Sequence, residues 1–316
     1  MSKSSNSKEF ISRYGIYIIF LGIFIILSII NRTFFTAPNL INIAKQASTV
    51  AIIAIAQTLC LITGGMDLSS GSIMALAGVT SATFGLADHT NMPAAFVVAI
   101  GVGMLCGLVN GIMIAKGNIP AFIATLGMQQ MARGMALLFT NATPVFGLSD
   151  TYTFLGSGKI AGIPMLVIVM IIVIILAAFL LNRTKFGRHV YAVGGNELSA
   201  HVSGIKVDRV KLQVYVMAGA LAGLGGLLLA GRIKSGTPTM GEGYELDAIA
   251  GAVIGGVSTS GGIGTVYGAV VGSLLMAMIT NGLDLLNVSA YYQQIIKGMI
   301  IVLAVLLDVK TKKSTK

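Results

Sequence analysis

Residues 163–181 read IPMLVIVMIIVIILAAFLL, and residues 182–211 continue NRTKFGRHVYAVGGNELSAHVSGIKVDRVK. The first stretch carries no charge and is long enough to cross a bilayer, because about 20 apolar residues at 1.5 Å each cover the ~30 Å hydrocarbon layer. The second is a long basic interruption in an otherwise apolar chain. Between Tyr14 and Asp308 further stretches of the first kind recur, so the fold class is an all-α, polytopic integral membrane protein.

Composition agrees. Of 316 residues 55% are hydrophobic and 10% charged, and the mean hydropathy is +0.88. A soluble domain of this size needs more charge. The net charge of +10 is not gathered on one polar domain, so nucleic acid is not the expected partner. Cys60 and Cys106 lie inside apolar stretches and read as small core residues without a disulfide. Lys3, Lys8 and Arg13 precede the apolar run Ile16–Ile30 as in a signal peptide. No small-x-small cleavage site follows, and an uncleaved first helix is expected.

Ten spans are expected, at about 14–31, 40–63, 70–87, 93–115, 120–140, 163–181, 212–232, 246–257, 265–285 and 291–308. With the N-terminus in the cytoplasm, the inner segments hold Lys3, Lys8, Arg13, Lys116, Arg183, Lys185, Arg188, Lys206, Arg209, Lys211, Lys310, Lys312, Lys313 and Lys316. The outer segments hold only Arg32, Lys159, Arg232 and Lys234. That asymmetry obeys the positive-inside rule. The chain thus divides into a cytoplasmic tail 1–13, one transmembrane domain 14–308, and a basic cytoplasmic tail 309–316. A weak echo relates the Gly64-Gly65 and Gly255-Gly256 regions. Units of about 40–140 and 212–308, four spans each and opposite in orientation, would make an internal repeat of a transporter type, although the motif echo places both Gly-Gly pairs on the same side.

The basic loop 182–211 carries the strongest local signal. Asn196 suits an N-cap, Glu197 suits the positive start of a helix, and Gly204 suits its end. Leu198, Val202 and Ile205 fall on one apolar stripe, and Gly194 with Gly195 would let the backbone turn tightly beforehand. Two readings stay open: a helix lying on membrane lipid, or a docking helix for a cytoplasmic partner.

GRHVYAVGGNE (187–197) followed by Ser203-Gly204-Ile205 resembles the coupling loop of sugar permeases in ABC importers. TGGMDLSSGS (63–72), AKGNIPAFIATLGM (115–128), GYELDAIA (243–250) and NGLDLLNVSAYYQ (281–293) resemble the same family's motifs, in order, over nearly the whole chain. Ser70 stands where family members often carry Val. The likeness is nearest to the ribose permeases, the sugar branch of the branched-chain amino acid/ribose permease family. It implies a bacterial inner or plasma membrane, a permease dimer (a second copy of this chain), a cytoplasmic ATPase and an external sugar-binding protein. It also implies a role in energy coupling for Gly194, Gly195, Asn196, Glu197, Leu198 and Val202.

Other polar residues admit two readings each. Asp67 either caps the following helix or lines a path. Gln57, Ser69, Asn110, Gln129, Asn281 and Gln293 could line a sugar's translocation path with hydrogen bonds to its hydroxyls, or join helices to each other. Arg133 and Lys297 are intramembrane charges, functional by default, though Lys297 in particular is expected to snorkel. Glu242, Glu245 and Asp247 form an acidic group outside span eight, near Arg232 and Lys234. They could pair locally, or Glu242 and Glu245 could receive an external docking protein.

A phosphate-binding Gly-x4-Gly-Lys-Ser/Thr loop, a Gly-x-Ser-x-Gly elbow and a His-Glu-x-x-His pair are missing from the sequence. His89, His189 and His201 lack metal-site spacing. No cofactor and no catalysis by this chain are expected. The alternative to an ABC permease is a self-sufficient secondary transporter or channel, but no paired titratable groups suggest an ion-coupled relay. The charge asymmetry predicts that Ser199→Cys, in a chain stripped of Cys60 and Cys106, resists impermeant thiol reagents in intact cells; ready labelling from outside would invert the topology.

Overall fold

The structure is a computed structural model that describes residues 3–313. The tips of both expected tails, residues 1–2 and 314–316, lie outside the described residues, as do the side chains of 3–15, 307 and 310–313. Thirteen helices and one two-strand hairpin make up the described chain: α1 (Lys3–Ile30), α2 (Ala37–Ile62), α3 (Ser70–Ala82), α4 (Met92–Ala115), α5 (Ala121–Phe139), α6 (Asp150–Ser157), β1 (Lys159–Ile160), β2 (Ile163–Pro164), α7 (Met165–Arg183), α8 (Lys185–Gly195), α9 (Glu197–Val202), α10 (Val207–Ile233), α11 (Tyr244–Ile254), α12 (Val266–Leu285) and α13 (Ala290–Lys313).

Each expected span coincides with a helix, but they are not equivalent. Five (α2, α4, α7, α10 and α12) are long and apolar enough to cross a membrane. Span three, expected over 70–87, shrinks to α3 of 13 residues, and span eight, expected to be short, becomes α11 of 11 residues, about 20 and 16 Å long. Neither reaches across hydrocarbon alone. In span three the Gly- and Ser-rich composition extends the apolar signal beyond the helix itself. Helix α6 was not expected; it begins where the Ser149 side chain accepts a bond from the Tyr152 amide.

Helices start where the sequence supplies a partner for free amides. Pro38 and Pro93 occupy first-turn positions of α2 and α4, where a missing N–H costs nothing. Asn91, Thr184, Asn196 and Thr265 accept from the amides of Ala94, Gly187, Ser199 and Gly268, satisfying donors that the helix leaves open.

Helix α10 is the hub, packing on α4, α3 and α2, while α2 packs in turn on α11 and α12. The contact surfaces are small residues. A side chain at Gly103 would run into the Gly219 carbonyl, one at Gly107 into Tyr215, and one at Gly223 into Ala99. The spacing of four along α4 (Gly103, Gly107, Gly111) and α10 (Gly219, Gly223) lets two backbones touch, as close-packed membrane helices require. On another side of α10, Gly226 lies against Met74 of α3 and Gly225 against Ile53 of α2. Outward, α4 and α7 show Leu105, Val109, Ile175, Leu176 and Phe179, all exposed, as a lipid-facing surface should.

Replacing Gly107 by Leu should separate α4 from α10. Overpacking here belongs at the upper end of the about 1–3 kcal/mol typical of such changes, and the detergent-solubilised Tm should fall by several degrees. Gly101 has open space around it, so Gly101→Leu should leave Tm within a degree or two. Equal Tm values for both variants would refute the role of the glycine seam.

Candidate functional site

Two regions gather the candidate residues. The first is the loop 182–211, which folds as two helices rather than the single one expected. Helix α8 was missed although Phe186, Val190 and Val193 have helical spacing; Val190 and Val193 are buried. Asn196 ends α8 and caps α9, its Oδ1 accepting from Ser199 N at 2.8 Å. Gly204, at φ +83°, turns the chain after α9. The turn corrects the expected apolar stripe. Ile205 swings inward to pack on the core, whereas Leu198 and Val202 stand out, 74% and 79% exposed.

The two glycines of this loop also differ from expectation. Neither has the left-handed backbone of a tight turn. Gly194 matters for closeness: a Cβ there would coincide with the carbonyl of Ile62 and stand 2.7 Å from the amide of Gly262. Those two groups bond to each other at 2.9 Å, so α8 sits on the joint between the end of α2 and the loop that links α11 to α12. Tyr191 reinforces the seat, donating to the Gly264 carbonyl at 2.8 Å. Gly195 has open space. Glu197 holds Lys211 of α10 through both oxygens at 2.8 Å. Asp308 extends the assembly to α13, accepting from Thr259 N at 3.0 Å and Thr259 Oγ1 at 2.9 Å. A cleft of about 540 Å³ opens at this end, lined by Gly64, Asn118, Pro120, Gly195, Glu197 and Lys211 among others.

The second region is interior. Gln57, Asp67, Ser69 and Asn110 meet in one buried network. Gln57 Nε2 donates to the Asp67 carbonyl and to Ser70 Oγ, and its Oε1 accepts from Asp67 N. Asp67 Oδ1 accepts from Ser69 N at 2.9 Å and from Ser69 Oγ. Asn110 Nδ2 donates to Ser69 Oγ at 2.9 Å. Each of these residues is at most 2% exposed, and together they tie α2, the start of α3 and α4. Asp67 thus organises the entry to α3 while Ser69 holds the N-cap position itself.

The remaining candidates lie apart. Asn281 of α12 exchanges two amide bonds of 2.9 Å with Asn39 of α2. Gln293 donates to Asp284 Oδ1 at 2.7 Å and to the Val288 carbonyl, closing the α12–α13 turn. Gln129 of α5 stands 3.5 Å from Glu245 Oε1. Three expectations are corrected here. Lys297 does not snorkel: it pairs with Asp247 at 2.8 Å, joining α13 to α11. Glu245 is 6% exposed and turned toward Gly71 of α3, so it presents no docking surface. Among the described residues the acidic group makes no ion pair with Arg232 or Lys234; its one ion pair is Asp247 with Lys297, and Arg133 Nη1 donates to the carbonyls of Pro238 and Met240.

Residues 39–305 match the family model of the permease component of branched-chain amino acid transport systems. The chain is 43% identical over 289 residues to the ribose import permease protein RbsC of Escherichia coli strain K12, covering 90% of each chain. It is 43% identical over 296 residues to RbsC of Bacillus subtilis strain 168, covering 92% of each. The galactose/methyl galactoside import permease protein MglC of Salmonella typhimurium is 40% identical over 324 residues, covering 96% of each. No solved structure matches the chain. A family match over most of its length, with relatives this similar from end to end, shows that the chain belongs to the family of transport-system permease components, in the branch of the ribose import permeases.

Proposed function

We propose that this chain forms the translocation path of an ATP-driven monosaccharide importer, with ribose as its sugar. Its energy comes from a cytoplasmic ATPase seated on α9, its sugar from an external binding protein, and its partner across the membrane is a second copy. The observation that carries this reading is the pairing of two bare apolar side chains, Leu198 and Val202, with a rigid mount. Among exposed groups they offer the knob that a partner's pocket would fill, and the mount touches α2, α10 and the α11–α12 loop at once. A push on α9 would reach both halves of the protein.

The same reading places both termini in the cytoplasm and counts ten membrane segments, with α3 and α11 as half-length members of two inverted units. Three features support that alignment. The second helix of each unit is the short one. Helix α10 lies on α3 and α4 as α2 lies on α11 and α12. The run Gln-Gln-Met-Ala-Arg-Gly-Met at 129–135 in α5 returns as Gln-Gln-Ile-Ile-Lys-Gly-Met at 293–299 in α13. For Gln57, Asp67, Ser69 and Asn110 the mutual hydrogen bonds favour joining helices over lining a path.

Leu198→Asp should abolish sugar uptake by at least tenfold and lose the co-purifying ATPase while the protein still inserts. A burial-dependent contact of this kind carries several kcal/mol. A lipid-surface helix would instead leave the ATPase bound, and normal uptake with normal binding would rule the docking role out. Gly194→Ala should separate α8 from Ile62 and uncouple ATP hydrolysis from uptake, whereas Gly195→Ala should transport at near the wild-type rate. Equal uptake by the two alanine variants would show that the close seat of α8 is not needed.

A further inference from the structure

The chain between Lys234 and Gly243 does not run over the outer surface. It enters the protein along α3. A side chain at Gly236 would touch Val79 and Ala82, at the far end of α3, and one at Gly241 would touch the Gly71 carbonyl at its start. From residue 71 to residue 82 a helix rises about 16 Å, half of the ~30 Å hydrocarbon layer. Helix α11 therefore begins near mid-membrane. There its first turn, with Glu245, lies against the first turn of α3.

This junction holds unspent hydrogen-bonding capacity. Glu245 Oε2 is buried and has no hydrogen-bond partner; Gln129 stands at the long distance of 3.5 Å from Oε1, and the backbone amides of Gly243 and Glu245 also lie within reach of the carboxylate. Arg133 reaches the same segment, donating through Nη1 to the Pro238 and Met240 carbonyls without an ion pair to Glu245, and its five N–H donors exceed those two bonds. On the outer side of the same patch Gln130 and Glu242 are exposed in the single chain. At this depth a carboxylate and an amide facing lipid would cost several kcal/mol each, which favours a protein or water neighbour over lipid for Gln130 and Glu242. By contrast, Gln57, Asp67, Ser69 and Asn110 are bonded to one another, with Asn110 Oδ1 alone among their buried atoms left open.

We propose that Glu245, Gln129 and Arg133 form the station on the translocation path that reads the hydroxyls of a passing monosaccharide. The carboxylate oxygens accept from hydroxyl groups, and the guanidinium and amide donate to hydroxyl and ring oxygens. Such a set suits a neutral polyol, because the Arg and Glu charges balance and no net charge is demanded of the ligand. Half-helices that meet at mid-depth are also where unsatisfied polar groups can be held ready in a membrane. The proposal rests on the importer reading above and places its substrate at named residues.

The test uses the assembled importer: this chain with its ATPase and external binding protein in liposomes, supplied with ribose. The readout is sugar imported per ATP hydrolysed. Glu245→Gln keeps the size of the side chain and removes its charge. It should lower that ratio at least tenfold, and Gln129→Ala should lower it about threefold, with the complex still co-purifying. Unchanged ratios in both variants would overturn the proposal. So would failure of both variants to assemble, because the residues would then only join helices. The wild-type assembly separates the two readings: if it imports no monosaccharide, the importer reading fails first. Leu198→Asp differs from both variants by losing the ATPase itself.

Discussion

Close backbone contact along α10 is the constraint on which the rest depends. Within a bilayer the side chains of adjoining helices gain little from leaving lipid, so helices associate through van der Waals contact and hydrogen bonds. Helix α10 meets that demand on three sides, with Gly219 and Gly223 toward α4, Gly226 toward α3 and Gly225 toward α2. A bulky residue on any of these faces would push a neighbour outward by the width of a side chain. The half-helices α3 and α11 can remain short because α10 and α2 cover them. Their free ends lie beside protein, where irregular backbone is tolerated at membrane depth.

The same packing connects the two ends of the molecule. At one end, α8 and α9 grip α2, α10 and the α11–α12 loop through Gly194, Tyr191 and Glu197. Toward the middle, α2 carries Gln57 to the entry of α3, and α11 carries Glu245 to the same helix. A displacement of α9 therefore has short routes through α2 to the start of α3, where the first turn of α11 also lies. This fits the division of labour in a permease component, a non-catalytic membrane subunit whose energy is supplied by a separate ATPase.

Much of this was legible beforehand, and the particular successes share a cause. The N-cap at Asn196 and the stop at Gly204 are local, fixed by bonds within three or four residues. The ten apolar stretches each contain a helix because hydropathy is written in composition, although only five of those helices are long and apolar enough to cross a membrane. The errors share a different cause. Ile205 left its expected stripe because Gly204 reverses the chain. Gly194 was assigned to a turn, but its requirement comes from the Ile62 carbonyl, 132 positions away in the chain. Lys297 was assigned to an interface because Asp247, its partner, sits fifty residues distant on another helix. The repeated Gln-Gln-x-x-Arg/Lys-Gly-Met run was a signal available in the sequence for the importance of Gln129 and Arg133.

By itself the sequence determined the class, the long apolar helices, the basic loop and the family, because hydropathy, charge and motif order act through neighbours along the chain. Only the tertiary structure decided which polar residues are consumed by each other and which keep capacity to bind. Gln57, Asp67, Ser69 and Asn110 look no different in sequence from Gln129 and Glu245. The first four bond to one another because α2, α3 and α4 converge on them, leaving only Asn110 Oδ1 unpartnered among their buried atoms, whereas Glu245 keeps an unpartnered carboxylate oxygen because the 234–243 segment carries it down to Gly71, a glycine whose bare face leaves room for a carboxylate.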